Sequence, residues 1–128
     1  MNGKFSINCQ SDFFIVELVG AVTACHVINA SRQLLNTPEF TPGYPVIWDA
    51  TAADLSEIDS ETIEKTITEL DEMFDGLPLG HVALVSEREI NLGTIDLFRV
   101  MYDKNEVSVF NSFPKAQDWI QQRSKGND

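Results

Sequence analysis

The chain has 128 residues, of which 43% are hydrophobic and 23% charged, with a formal net charge of −11. That size and balance describe one globular domain, 1–128, and exclude a disordered chain. The charge argues against a nucleic-acid partner, because phosphate binding needs clustered Lys and Arg, and against simple electrostatic attraction to anionic lipid.

Segments 4–8 and 13–19 alternate or concentrate strand-forming residues around a polar turn at 10–12, so they read as a β-hairpin. Gly20 ends the second strand, and Thr23 caps the helix that follows. Val27, Ile28, Leu34 and Leu35 share one helical stripe, which stops before Pro38. Segment 44–49 is a short apolar run with Asp49 at its end, the form of a buried parallel strand with a polar tip.

Asp59 is an N-cap candidate, flanked by Ile58 and Ile63 as a hydrophobic staple. Ile63, Ile67, Leu70 and Phe74 continue that helix, and Gly76 and Pro78 end it. Segment 81–86 is the next strand, and 91–103 the next helix, with Ile95, Phe98, Met101 and Tyr102 inward. Segment 106–110 is the last strand. Ser112 and Pro114 open a final helix that turns Ala116, Trp119 and Ile120 to the core.

The order ββαβαβαβα predicts an α/β domain with a mixed, mostly parallel five-stranded sheet packed by helices. The segments also combine into a family pattern. The strand 13–18 precedes Gly20-Ala21-Val22-Thr23, and Trp48-Asp49 closes a strand. Val82-Ala83-Leu84-Val85 forms another, and Val109-Phe110 precedes Ala116 and Trp119. The chain resembles the SpoIIAA-like family, bacterial single domains related to STAS domains, over nearly its whole length.

The resemblance implies a SpoIIAA-like fold without known enzymatic activity. It also implies kinship with the CRAL-TRIO lipid-carrying fold, and hence a small non-polar or lipid-like ligand. STAS domains that act as anti-anti-sigma switches carry a phosphorylated serine in Asp-Ser-Ser/Thr-Gly. The matching residues are Asp59-Ser60-Glu61-Thr62, so the resemblance places Ser60 at the phosphosite. Glu61 departs from that pattern and would repel a phosphate beside it. Thr62 stands where the glycine would let a partner's backbone approach. A protein-interaction switch is therefore the alternative function, against helix capping by Asp59 and Ser60.

Other chemistry is sparse. Cys9 and Cys25 make no CxxC pair and read as reduced thiols in the cytoplasm. His26 and His81 have no neighbours at zinc-ligand spacing, so no metal and no cofactor is expected. No glycine motif for nucleotides is present. Asp49, at the expected carboxyl end of a strand, is a candidate ligand contact, against hydrogen bonding to its own loop amides. Glu69, Asp71, Glu72 and Asp75 offer a solvated face or a contact for a basic partner.

Segment 91–103 carries more apolar residues than one inward stripe holds. Leu92, Leu97 and Val100 are the excess, expected to face a membrane surface, a protein partner or a second copy in a homodimer. Gly93 would loosen the helix for motion as a lid. The expected function is non-enzymatic binding of a small non-polar ligand, with Trp48, Asp49, Phe74, Ile95, Phe98, Met101 and Tyr102 as ligand contacts.

Overall fold

The structure is a computed structural model that describes residues 3–10, 12–41, 43–74, 80–101 and 107–126, with only the backbone of 101 and 124–126. In chain order the elements are β1 (Lys4–Cys9), β2 (Phe14–Ala21), α1 (Ala24–Leu35), β3 (Val46–Asp54), α2 (Ser60–Met73), β4 (Val82–Val85), α3 (Glu89–Met101), β5 (Val107–Phe110) and α4 (Phe113–Gly126). The strands lie in one sheet in the order β1-β2-β3-β4-β5. β1 is antiparallel to β2, and the three further pairings are parallel. This is the mixed, mostly parallel α/β sheet read from the sequence.

The strand order decides where the helices go. β2 to β5 advance in one direction across the sheet. Crossovers of one hand then put α1, α2 and α3 on the same face. Side chains on that face form the larger core, with Phe14, Val16, Leu18, Val27, Leu34, Ile63, Leu70 and Ile95 buried together. α4 has no further strand to reach and covers the opposite face. There Ala116 and Ile120 pack with Phe13, Ile47, Ala83 and Val85. The period of two along β3 splits adjacent residues between the faces, Val46 to the larger core and Ile47 to the smaller.

Helix starts follow their sequence signals. Asp59 accepts the Thr62 amide at 2.8 Å and caps α2. At α1 the Thr23 amide donates to His26 Nδ1 at 2.9 Å, so His26 closes a capping box in which a ring nitrogen does the work of a carboxylate. Gly20 does not end β2, which runs on to Ala21. It lies at φ 78°, a left-handed conformation that glycine adopts without strain.

Two of the boundaries that differ from the sequence reading bear on the site. β3 extends five residues past Asp49, so Asp49 lies in mid-strand rather than at a strand tip. Its pairing with β2 slips between Glu17 and Val19, where β3 holds one extra residue, a β-bulge. α3 begins at Glu89, not Asn91, and its described part ends at Met101.

Candidate ligand cavity

A cavity of about 140 Å³ lies between the sheet and helices α1, α2 and α3. Its floor is made by side chains on the helix-covered face of the strands: Leu18 of β2, Val46, Trp48 and Ala50 of β3, Val82 and Leu84 of β4, and Val107 of β5. Val27, Ser31 and Leu34 of α1 form one wall, Leu70 and Phe74 at the end of α2 another, and Thr94, Ile95 and Phe98 of α3 the third. Phe40, Tyr44 and Gly80 line the side nearest the strand starts.

The aromatic residues are held in place by one another. Phe14 packs edge-on to Phe40 and to Tyr44, with ring centroids 5.6 and 5.4 Å apart. Gly80 has no room for a side chain, because a Cβ there would collide with the Gly43 carbonyl oxygen.

The lining holds almost no polar groups. Ser31 is buried and donates its hydroxyl to the Val27 carbonyl at 2.9 Å, the i−4 bond within its own helix. Among the described residues no Asp, Glu, Lys, Arg, His or Cys lines the cavity. Such a surface binds by shape and apolar contact.

Of the residues expected to contact a ligand, the structure brings Trp48, Phe74, Ile95 and Phe98 together around the cavity. The side chain of Met101 and all of Tyr102 lie outside the described residues. Asp49 is absent from the lining. Its neighbour Trp48 faces the cavity, so the pleat turns Asp49 to the other face of the sheet. There its Oδ1 accepts from the Thr51 amide at 3.0 Å and the Thr51 hydroxyl at 2.8 Å, which staples the bulge.

The surplus apolar residues of α3 divide. Val100 is 56% exposed. Leu97 is half-buried against the larger core, about 100° around the helix from Phe98 and so on the shoulder of the inward stripe. Leu92 is also half-buried and is not part of the lining. Ile90, outside the helix expected from the sequence, is 55% exposed and joins Val100 as an outward apolar residue.

Ser60 is exposed at the first position of α2, next to the Asp59 cap. Hydrogen bonds from the Thr62 hydroxyl and amide hold the Asp59 carboxyl below the usual carboxylate range. Hydrogen bonds from Ser56, side chain first and then amide, act the same way on Asp54, with a lesser contribution from Arg88. Among the described residues no group of three or more His, Cys, Asp or Glu is placed to hold a metal ion.

Sequence reasoning missed Asn91. It is fully buried beside the cavity wall and ties α3 to the carboxyl end of β3. Its Nδ2 donates to the Ala53 carbonyl at 2.8 Å and to Ser86 Oγ at 3.1 Å, and its Oδ1 accepts the Leu55 amide at 2.9 Å. Arg88 reaches the same Ala53 carbonyl at 3.0 Å. The signal was present, because Asn91 shares a face with Ile95 and Phe98, and a polar residue on an inward stripe must find partners.

No protein-family model matches the chain, and no curated protein matches it. Among solved structures it is similar to a DUF3478-family protein with a SpoIIAA-like fold from Shewanella loihica PV-4. The two share 18% identity over 92% of this chain and 93% of that one, with a TM-score of 0.60. At that identity the likeness carries the architecture alone, and the architecture is that of a SpoIIAA-like fold.

Proposed function

We propose that this domain binds a small non-polar ligand, without catalysis, in the cavity between the sheet and α1, α2 and α3. One observation carries the reading: a cavity of about 140 Å³ whose walls are apolar and include Trp48, Phe74, Ile95 and Phe98. Concave apolar walls open to water lack the packing contacts of a protein interior. A ligand restores those contacts. Among the described residues the lining carries no charged side chain and no histidine to activate its few hydroxyls, which supports binding over turnover.

Peripheral membrane contact is part of the same reading. No helix among the described residues is long and apolar enough to cross a bilayer. Ile90 and Val100 instead offer apolar side chains on the outer surface of the helix that walls the cavity. With a net charge of −11, such contact works by apolar insertion and is insensitive to salt.

Native mass spectrometry of gently purified protein tests the proposal. The expected spectrum shows an added mass that organic extraction removes. Repeated preparations without an added mass, together with no rise in melting temperature on adding toluene, would overturn it.

A further inference from the structure

We infer that the ligand is a compact, ring-sized apolar molecule carrying no acidic group, rather than a fatty acid or another long-chain anion. The inference rests on the reading of the cavity as a ligand site, and it follows from volume, lining and field.

Volume sets the size. A protein cavity of about 150 Å³ accepts benzene, and this one measures about 140 Å³. Aromatic walls at Phe40, Trp48, Phe74 and Phe98 suit a flat ring by offset or edge-on packing. A chain of a dozen or more methylenes would place only part of its length in such a space.

Lining and field set the charge. Phe40, Tyr44, Phe74, Gly80, Phe98 and Val107, at the end of the strand starts, keep solvent exposure, as do Trp48, Val82, Leu84 and Thr94 further along the walls. At the opposite end Leu18, Ala50, Leu55 and Ile58 are buried. The cavity therefore opens at the amino edge of the parallel strands. Helices in βαβ units run against their strands, so α1, α2 and α3 direct their C-terminal ends to this edge. Each end carries about half a negative charge.

The last turn of α2 contains no basic residue to offset that charge, and the exposed Glu69 and Glu72 add to it. Arg32 and Arg99 are the bases in the last turns of α1 and α3. Arg32 donates to the Asn29 side chain at 3.2 Å, and Arg99 pairs with Asp96 at 2.8 Å. Neither lines the cavity. Among the described residues, an acidic ligand would meet repulsion at the entrance and no cation inside to compensate its lost hydration. A neutral ring meets neither, and an amine at the mouth is attracted.

The two tryptophans give a direct assay, because Trp48 lines the cavity and Trp119 packs with Phe110 on the opposite face. In Trp119→Phe, emission reports on Trp48 alone. Toluene, benzylamine, benzoate and n-decanol are titrated separately. Saturable shifts are expected with toluene and benzylamine, with benzoate at least about tenfold weaker and n-decanol no tighter than toluene. Filling the cavity with Ala50→Leu should abolish the shifts, and Val82→Phe at the rim serves if that variant fails to fold.

Benzoate binding as well as benzylamine, or n-decanol binding about tenfold tighter than toluene, would overturn the inference and leave the cavity reading intact. Absence of binding by every probe, or binding that survives both filled variants, would remove the cavity reading and this inference with it.

Discussion

The side-chain amide of Asn91 donates to the Ala53 carbonyl at 2.8 Å, joining α3 to the end of β3 across 38 residues of sequence. The orientation of the amide is fixed by its partners. The Leu55 N–H needs an acceptor, and the Ala53 carbonyl needs a donor. Only one placement of the oxygen and nitrogen serves both. Asn91→Ala would strand the buried Leu55 amide and lower stability by about 1–3 kcal/mol, the cost of one unsatisfied buried group. Asn91→Asp also supplies the acceptor, but its ionised form turns an oxygen in place of the Nδ2 donor toward the Ala53 carbonyl in a buried site, so it should be at least as damaging. Denaturant melts check both, with a lower midpoint and an unchanged slope expected.

Ile95 stands one turn further along the same face of α3, buried, with its side chain in the cavity wall. Truncation there enlarges an existing space that the surrounding helices and sheet do not collapse to fill. Ile95→Ala should cost about 2–5 kcal/mol, the range for large-to-small changes in a core. A ligand larger than toluene should recover part of that loss. The check is the melting temperature of wild type and variant with toluene and with naphthalene. The variant alone should gain more from the larger ring.

His26 replaces the usual Glu or Gln in the capping box of α1, with Nδ1 accepting the Thr23 amide at 2.9 Å. His26→Ala leaves that amide without its partner and should cost about 1 kcal/mol, as lost caps do. His26→Gln restores an acceptor at the same position and should recover most of the loss. Paired thermal melts at one pH separate the two outcomes. Equal melting temperatures for the Ala and Gln variants would show that the ring acts by packing instead.

How much of this was legible in the chain depends on the period of each segment. Trp48, Phe74, Ile95 and Phe98 converge because strand and helix periods mark inward positions, and right-handed crossovers put the three helices on one face. Asp49 was misplaced for a local reason. The stretch from Ala50 to Ala53 holds three alanines, weak strand formers, around one threonine, so the strand reads as ended. Parallel pairing with β2 overrides that propensity and carries β3 to Asp54.

The pleat alone should have separated Asp49 from Trp48, since adjacent strand residues cannot both line one pocket. Leu97 was placed outward by counting apolar residues, which misses how wide a stripe α3 buries against its neighbours. The cavity itself is a sum of side-chain volumes over seven elements, and no single segment encodes it.

Asp54 and Asp59 set the expected acid sensitivity. Hydrogen bonds from Ser56 and Thr62 lower both folded-state pKa values. The stabilisation from each is fully present above the unfolded carboxylate pKa of about 3.9, and is lost as pH falls through the lowered folded value. Melting temperature should therefore drop on the acid side of about pH 4. Asp59→Asn keeps a side-chain oxygen for the Thr62 amide but removes the titration. The variant should show a shallower acid decline than wild type, and identical profiles would contradict the assignment.

Ile90 and Val100 are the large apolar side chains most exposed among the described residues, and both belong to α3. If α3 dips into a bilayer, these two side chains supply the insertion energy, about 1.5–3 kcal/mol each when fully buried. Replacing both by serine should abolish flotation with neutral liposomes. It should leave folding stability within about 0.5 kcal/mol, because surface changes away from packed features cost little. Wild-type flotation should be the same at low and high salt, since the chain carries −11 and no attraction of opposite charge is there to be screened. Flotation that fell with salt would point instead to a local basic contact. Flotation unchanged in the double variant would place any membrane contact elsewhere on the molecule.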